Sequence, residues 1–150
     1  MDAIDKKILM QLQQNAKQNN KEIADKVGLS VSPTYERIKK LEQQGYVKQY
    51  VAILDGQKVG KPIKVYCQIS LANHARPLIE NFKQAIARLP EIMGCQHVSG
   101  NYDFLLKVAV SDMNEYQRFV IDKLSVIEGI SNVQSSFVME EIKNDTMYQL

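Results

Sequence analysis

Residues 63–98 and 103–139 carry the same order of apolar positions. Sliding the first copy forward by 38 residues lays Leu78 on Tyr116, Phe82 on Val120, Ile86 on Leu124, Leu89 on Ile127 and Ile92 on Ile130. Each copy reads as strand, helix, strand. IKVYCQISL (63–71) alternates with period two, and 75–89 gathers Leu78, Ile79, Phe82, Ile86 and Leu89 on one helical side. A strand over 91–98 follows, then a turn at Gly100, a strand over 103–110, a helix over 113–127 and a strand over 130–139. Asp112 with Glu115 starts the second helix. The order βαββαβ is that of the ferredoxin-like sandwich, a sheet covered on one face by two helices.

That arrangement leaves the other sheet face bare. The first strand sends Val65, Cys67, Ile69 and Leu71 to one side and Lys64, Tyr66, Gln68 and Ser70 to the other. The third sends Leu105 and Ala109 to the uncovered side. A partly apolar open face predicts burial against a partner, at least as a homodimer. Cys67 and Cys95 fall on strands that this fold separates by a third, too far apart to bridge, and each is read as a small hydrophobe in an apolar strand. His74 and His97 have no local partners, and no metal-ligand spacing occurs.

The N-terminal third has a helical period. Ile4, Ile8, Leu9 and Leu12 form a stripe over about 3–17, with Asp2 and Asp5 at its start. Ile23, Ala24 and Val27 form a second, closed by Gly28. Leu29 and Ser30 make a turn, and Ser32-Pro33 reads as the next helix start. Ile38 and Leu41 then point inward, with Thr34 or Tyr35 one turn earlier, and Gly45 ends the helix. Glu36, Arg37, Lys39 and Lys40 are left facing solvent. A short helix, a tight turn and a second projecting helix is the geometry that fits a DNA major groove. YVKQYVAIL (46–54) reads as a strand leaving this unit, and DGQKVGKP (55–62) as a linker. The expected organisation is therefore α+β. Residues 1–54 form a three-helix, winged-type helix-turn-helix domain with an exit strand, and 63–150 the βαββαβ domain that associates through its open face.

Charge follows that division. Residues 1–61 hold eleven Lys/Arg against seven Asp/Glu, and 62–150 hold eight against ten, so the basic excess lies with the helices. No apolar run approaches the roughly 20 residues of a membrane span. The N-terminus lacks the pattern of a signal peptide, so a cytoplasmic location is expected. No Ser/His/Asp set, phosphate loop or metal cluster is present, and the only arginines of 62–150 (Arg76, Arg88 and Arg118) lie on helices. An enzyme is not expected, nor any metal or cofactor.

Four stretches together resemble the Lrp/AsnC (feast/famine) transcription regulators: IDKKILMQLQQNAK, IADKVGLSVSPTYERIKKLEQQGYVKQYVAILD, VSGNYDFLLKV and EGISNVQSSFVMEEIKNDTMYQL. The resemblance implies a helix-turn-helix joined to a ligand-sensing βαββαβ domain. It also implies dimers that assemble into octamers, and an amino-acid effector bound between dimers. Ser32, Thr34, Tyr35 and Glu36 are best placed to reach base edges on double-stranded DNA. Arg37 is placed to read guanine or grip a phosphate, and Lys39 and Lys40 to neutralise phosphates. Thr34 has core filling as its alternative. A two-fold dimer implies near-palindromic sites. For the effector, the turn Gly100-Asn101-Tyr102-Asp103 is otherwise a plain hairpin turn. The resemblance makes it the cradle of an amino acid: Asp103 would accept from the ammonium, and backbone N–H groups from Gly100 to Tyr102 would donate to the carboxylate. Gln134, Ser135 and Ser136 match the segment that contributes hydroxyls in relatives, with serine where threonine is more usual. The competing reading is a nucleoid-organising DNA-binding oligomer that responds to no ligand.

Overall fold

The first helix begins where Asp2 caps it. In the computed structural model, which describes residues 1–150, Asp2 and Asp5 form a reciprocal capping box at the start of α1 (Ala3–Gln14). The helix stops short of the expected Lys17 because Asn15 turns extended and its side chain accepts the Lys17 N–H at 2.9 Å, a local bond that competes with helix. Asn19 and Glu22 form a second capping box on α2 (Asn20–Val27), which Gly28 closes at φ 75°. Then α3 runs Val31–Gln43. It starts two residues earlier than expected, with Val31 rather than Pro33 as its first residue and Ser30 rather than Ser32 as a cap, one that makes no side-chain hydrogen bond. Pro33 therefore sits third in the helix, still among the N–H positions that the first turn leaves unpaired. Ile8, Leu9, Leu12, Ile23, Val27, Ile38 and Leu41 interlock as the core of these helices.

Residues 46–54 form no strand. A strand needs a neighbour for its backbone groups, and this chain supplies none there. Val51, Ile53 and Leu54 stand 66%, 72% and 67% exposed, while Tyr50 donates from its hydroxyl to Glu42 at 2.7 Å. The helical unit comprises Met1–Ile53 together with Ile142–Leu150, and the second unit Leu54–Glu141. The last nine residues, expected with the sheet, thus group with the helices. The Gln13 amide holds them there, donating to the Tyr148 carbonyl at 3.0 Å and accepting its N–H at 2.7 Å.

The second unit runs β1 (Ile63–Leu71), α4 (Arg76–Ile86), β2 (Ile92–His97), β3 (Phe104–Val110), α5 (Met113–Arg118) and β4 (Ile130–Phe137). All pairings are antiparallel in the order β2-β3-β1-β4, which is the expected α+β sandwich. Val65, Cys67 and Ile69 of β1 and Phe104, Leu106 and Val108 of β3 are buried with Phe82 and Ile86 of α4. The second helix departs from the regular one that the repeat implies. After Arg118 it continues as a π-helical turn, Phe119–Leu124, in which the Ser125 N–H reaches the Val120 carbonyl at 2.9 Å. The wider turn lets Phe119 and Leu124, five residues apart, both reach the core fully buried. Both cysteines are free, as β3 between their strands requires. Cys67 is buried, but Cys95 is exposed on the edge strand rather than filling the core.

Candidate functional site

On α3 the burial pattern separates the candidate residues. Thr34, Ile38 and Leu41 form the inward stripe. Thr34 is fully buried and its hydroxyl donates to the Ser30 carbonyl at 3.0 Å, so it cannot reach a base edge. Its methyl group fills the core while its hydroxyl is satisfied within the turn. Ser32, Tyr35, Glu36, Lys39 and Lys40 are exposed along the other side. The Lys39 ammonium lies 5.3 Å from the Tyr35 ring centroid. The Tyr35 side chain first, and Glu36 and Glu42 after it, hold the Lys39 ammonium above its ordinary pKa. Arg37 differs from these. It turns back onto α1 and pairs with Asp2 at 2.7 Å and Asp5 at 2.6 Å.

The second set lies around the β2–β3 turn. Gly100 has φ 141°, a region that favours glycine. The Val98 N–H closes the turn on the Asp103 carbonyl at 2.9 Å, and the Asp103 N–H donates to the Ile69 carbonyl at 2.8 Å. Asp103 is the staple that ties this turn to β1. One carboxylate oxygen accepts the Leu71 N–H at 2.7 Å, and the other meets His74 Nε2 at 2.6 Å. The Leu71 backbone bond, followed by His74, holds the Asp103 carboxyl below its usual pKa. His74, without a partner in the sequence, thus has one 29 residues away. His97 stacks on Phe104, ring centroids 4.6 Å apart.

Beside the turn, on the uncovered sheet face, Gln68, Ser70, Asn101, Tyr102, Asn132 and Gln134 line a recess of about 270 Å³. Every lining side chain is polar and uncharged. Of the expected effector residues, Asn101, Tyr102 and Gln134 meet here, while Gly100 and Asp103 frame the turn. Ser136, paired with Tyr66, shares the open face beyond the recess, since Gln134 pairs with Gln68. Ser135 does not join them. It stands opposite Cys67 on the helix-covered side, where its hydroxyl bonds to that of Tyr116. Burial first, and Cys67 second, raise the Tyr116 phenol well above its ordinary pKa. Gln68, Ser70 and Asn132 escaped the sequence reading. Alternation placed Gln68 and Ser70 on the open face, but only the β1–β4 register brings them against Asn132 and Gln134.

Comparison with known proteins decides the family. Residues 64–148 match the Lrp/AsnC ligand binding domain, and residues 1–48 match a winged helix-turn-helix DNA-binding domain. The chain belongs to the Lrp/AsnC family. It is 41% identical over 143 residues to the leucine-responsive regulatory protein of Haemophilus influenzae, covering 95% of this chain and 86% of the relative. The protein of that name from Escherichia coli K12 is 36% identical over 143 residues, covering 95% and 87%. Among solved structures, a Neisseria meningitidis transcriptional regulator in complex with L-Met superposes with a TM-score of 0.96 at 36% identity, covering 99% of this chain and 96% of that one. An AsnC family transcriptional regulator from Agrobacterium tumefaciens gives 0.94 at 36%, covering 99% and 97%. This Lrp/AsnC chain is a DNA-binding transcription regulator, not an enzyme. None of its helices is long and apolar enough to cross a membrane.

Proposed function

We propose that α3 of this regulator enters the major groove of near-palindromic sites. Ser32, Tyr35 and Glu36 reach base edges, while Lys39 and Lys40 neutralise phosphates. The observation that carries this reading is the exposure of those five side chains along one side of α3 while Thr34, Ile38 and Leu41 bury the other. The residues of the helical unit bind DNA and those of the sheet unit sense ligand and associate, as homodimers and then octamers, in the cytoplasm. A dimer sets two copies of α3 about one helical turn apart, roughly 34 Å, or a multiple of it.

The effector is an amino acid held at the turn Gly100-Asn101-Tyr102-Asp103, with Gln134 and Ser136 on the adjoining strand. Support comes from the concentration of polar groups there and from the L-Met complex of the Neisseria meningitidis relative. Because Asp103 already holds Leu71 and His74, an ammonium would use its remaining lone pairs. Two measurements test the whole. Duplexes selected from a random pool should share two-fold symmetry, and their affinity should fall steeply with added salt. Each of the twenty L-amino acids should be titrated by thermal shift and sedimentation. At least one should shift the melt or the assembly, and D103N should abolish that response. If no amino acid acts, the ligand-independent DNA organiser is the correct reading.

A further inference from the structure

Arg37 stands midway along α3, where a guanidinium would ordinarily be given to a guanine or a phosphate. Its surroundings give it different work. Nη1 donates to Asp2 Oδ2 at 2.7 Å and to Asp5 Oδ1 at 2.6 Å. The same two carboxylates close the capping box of α1. The Asp5 N–H donates to Asp2 Oδ1 at 2.8 Å, and the Asp2 N–H donates to Asp5 Oδ2 at 2.9 Å. Each of the four carboxylate oxygens therefore holds one donor, in a closed cycle. One guanidinium against two carboxylates leaves the cycle no positive charge to spare for a phosphate, a role left to Lys39 and Lys40 in the same recess. Moving the guanidinium onto DNA would break two charge-assisted bonds and leave bare carboxylate oxygens beside a polyanion.

Geometry explains what such a cycle is for. Thr34, Ile38 and Leu41 make a single stripe, and one stripe leaves a helix some freedom to roll about its axis. Arg37 lies on the flank of that stripe and reaches across to the N-terminus of α1. We propose that Arg37 is a positioning residue, not a DNA contact. With Asp2 and Asp5 it fixes the roll of α3, so that Ser32, Tyr35, Glu36, Lys39 and Lys40 face the duplex together. The inference rests on α3 being the element that meets DNA.

The test uses full-length protein and a duplex selected from a random pool by the wild type. Affinity is read by fluorescence anisotropy across a series of KCl concentrations, and circular dichroism melts confirm that each variant is folded during binding. A contact and a brace predict opposite signs for the double variant D2N/D5N. Asparagine still caps a helix, so α1 survives, but two negative charges near the DNA are gone. Electrostatics alone would tighten binding. The brace predicts a loss of about tenfold, matching R37A, with the triple variant no worse than either because the three residues act as one unit. R37A should leave the salt slope unchanged, whereas loss of a phosphate contact lowers it by about 1. Should D2N/D5N bind as tightly as wild type or tighter, or should the R37A slope drop, the guanidinium belongs on the DNA. D2N/D5N answers the question even if R37A fails to fold. K39A/K40A is the control for the underlying reading. If it binds duplexes like wild type, α3 is not the DNA-facing element and both statements fall, whereas a weakened K39A/K40A beside an unaffected D2N/D5N sinks the brace alone.

Discussion

Thr34 shows how one side chain can be read in two ways and what resolves it. A threonine near the start of a projecting helix offers a hydroxyl to a base edge and a methyl group to a core. Here it is fully buried, and its hydroxyl donates to Ser30. Thr34→Val keeps the shape and removes that hydrogen bond, so stability should fall by about 1 kcal/mol. Affinity and sequence preference for DNA should be unaltered in the folded protein. A relaxed preference at one base position in a selection experiment would instead return Thr34 to the DNA face. Sequence reading reached Ile38 and Leu41 directly because apolar side chains have only one favourable place. It could not show that Arg37 pairs with Asp2 and Asp5, because these partners lie 35 and 32 residues away, and charge at that distance leaves no local period. The pairing of His74 with Asp103 escaped for the same reason.

At the scale of elements, helix starts were legible because a cap is a local pattern. Asp112, read from the sequence as the start of α5, accepts the Glu115 N–H at 2.8 Å. What the pattern did not carry is the second use of Glu115. Its carboxylate meets Lys61 at 2.6 Å and accepts the Ser111 N–H at 2.5 Å. Lys61 first, and Ser111 after it, lower the Glu115 pKa to about 2 from an ordinary value of 4.5. The folded state therefore binds this proton more weakly than the unfolded chain does. Its contribution to stability is complete above about pH 4.5 and is lost as pH falls toward 2. Urea melts across that window should show E115Q less stable than wild type at pH 6, the two curves converging as the buffer is acidified. A constant gap down to pH 2.5 would mean that Glu115 acts by shape rather than by charge. The π-helical turn over Phe119–Leu124 was likewise hidden. The repeat offsets Val120 against Phe82 as though both helices were regular, yet Phe119 takes the buried place.

For the whole molecule, the segment 46–54 has the composition of a strand but no strand partner within its own chain. Val51, Ile53 and Leu54 stand about two-thirds exposed or more, and their backbone groups lack the ladder that β-branched residues favour. Composition reports what a segment prefers, while pairing depends on a neighbour that one chain need not contain, so the strand was expected and is absent. A run of exposed apolar residues of this length is costly in water unless another surface covers it. A second copy of the same chain is the expected cover, as the two-fold arrangement proposed above for near-palindromic sites would require. Placing charge in that cover should undo it. V51K/I53K lies outside both buried clusters, so each subunit should keep its fold and its circular dichroism spectrum. Sedimentation equilibrium should then find wild type as dimers or larger assemblies and the variant shifted toward monomer. DNA affinity should drop more steeply than the loss of two apolar contacts would cause, because a monomer reads only one half-site. A variant that sediments like wild type would move the interface away from this segment, leaving the open sheet face as the surface that brings copies together.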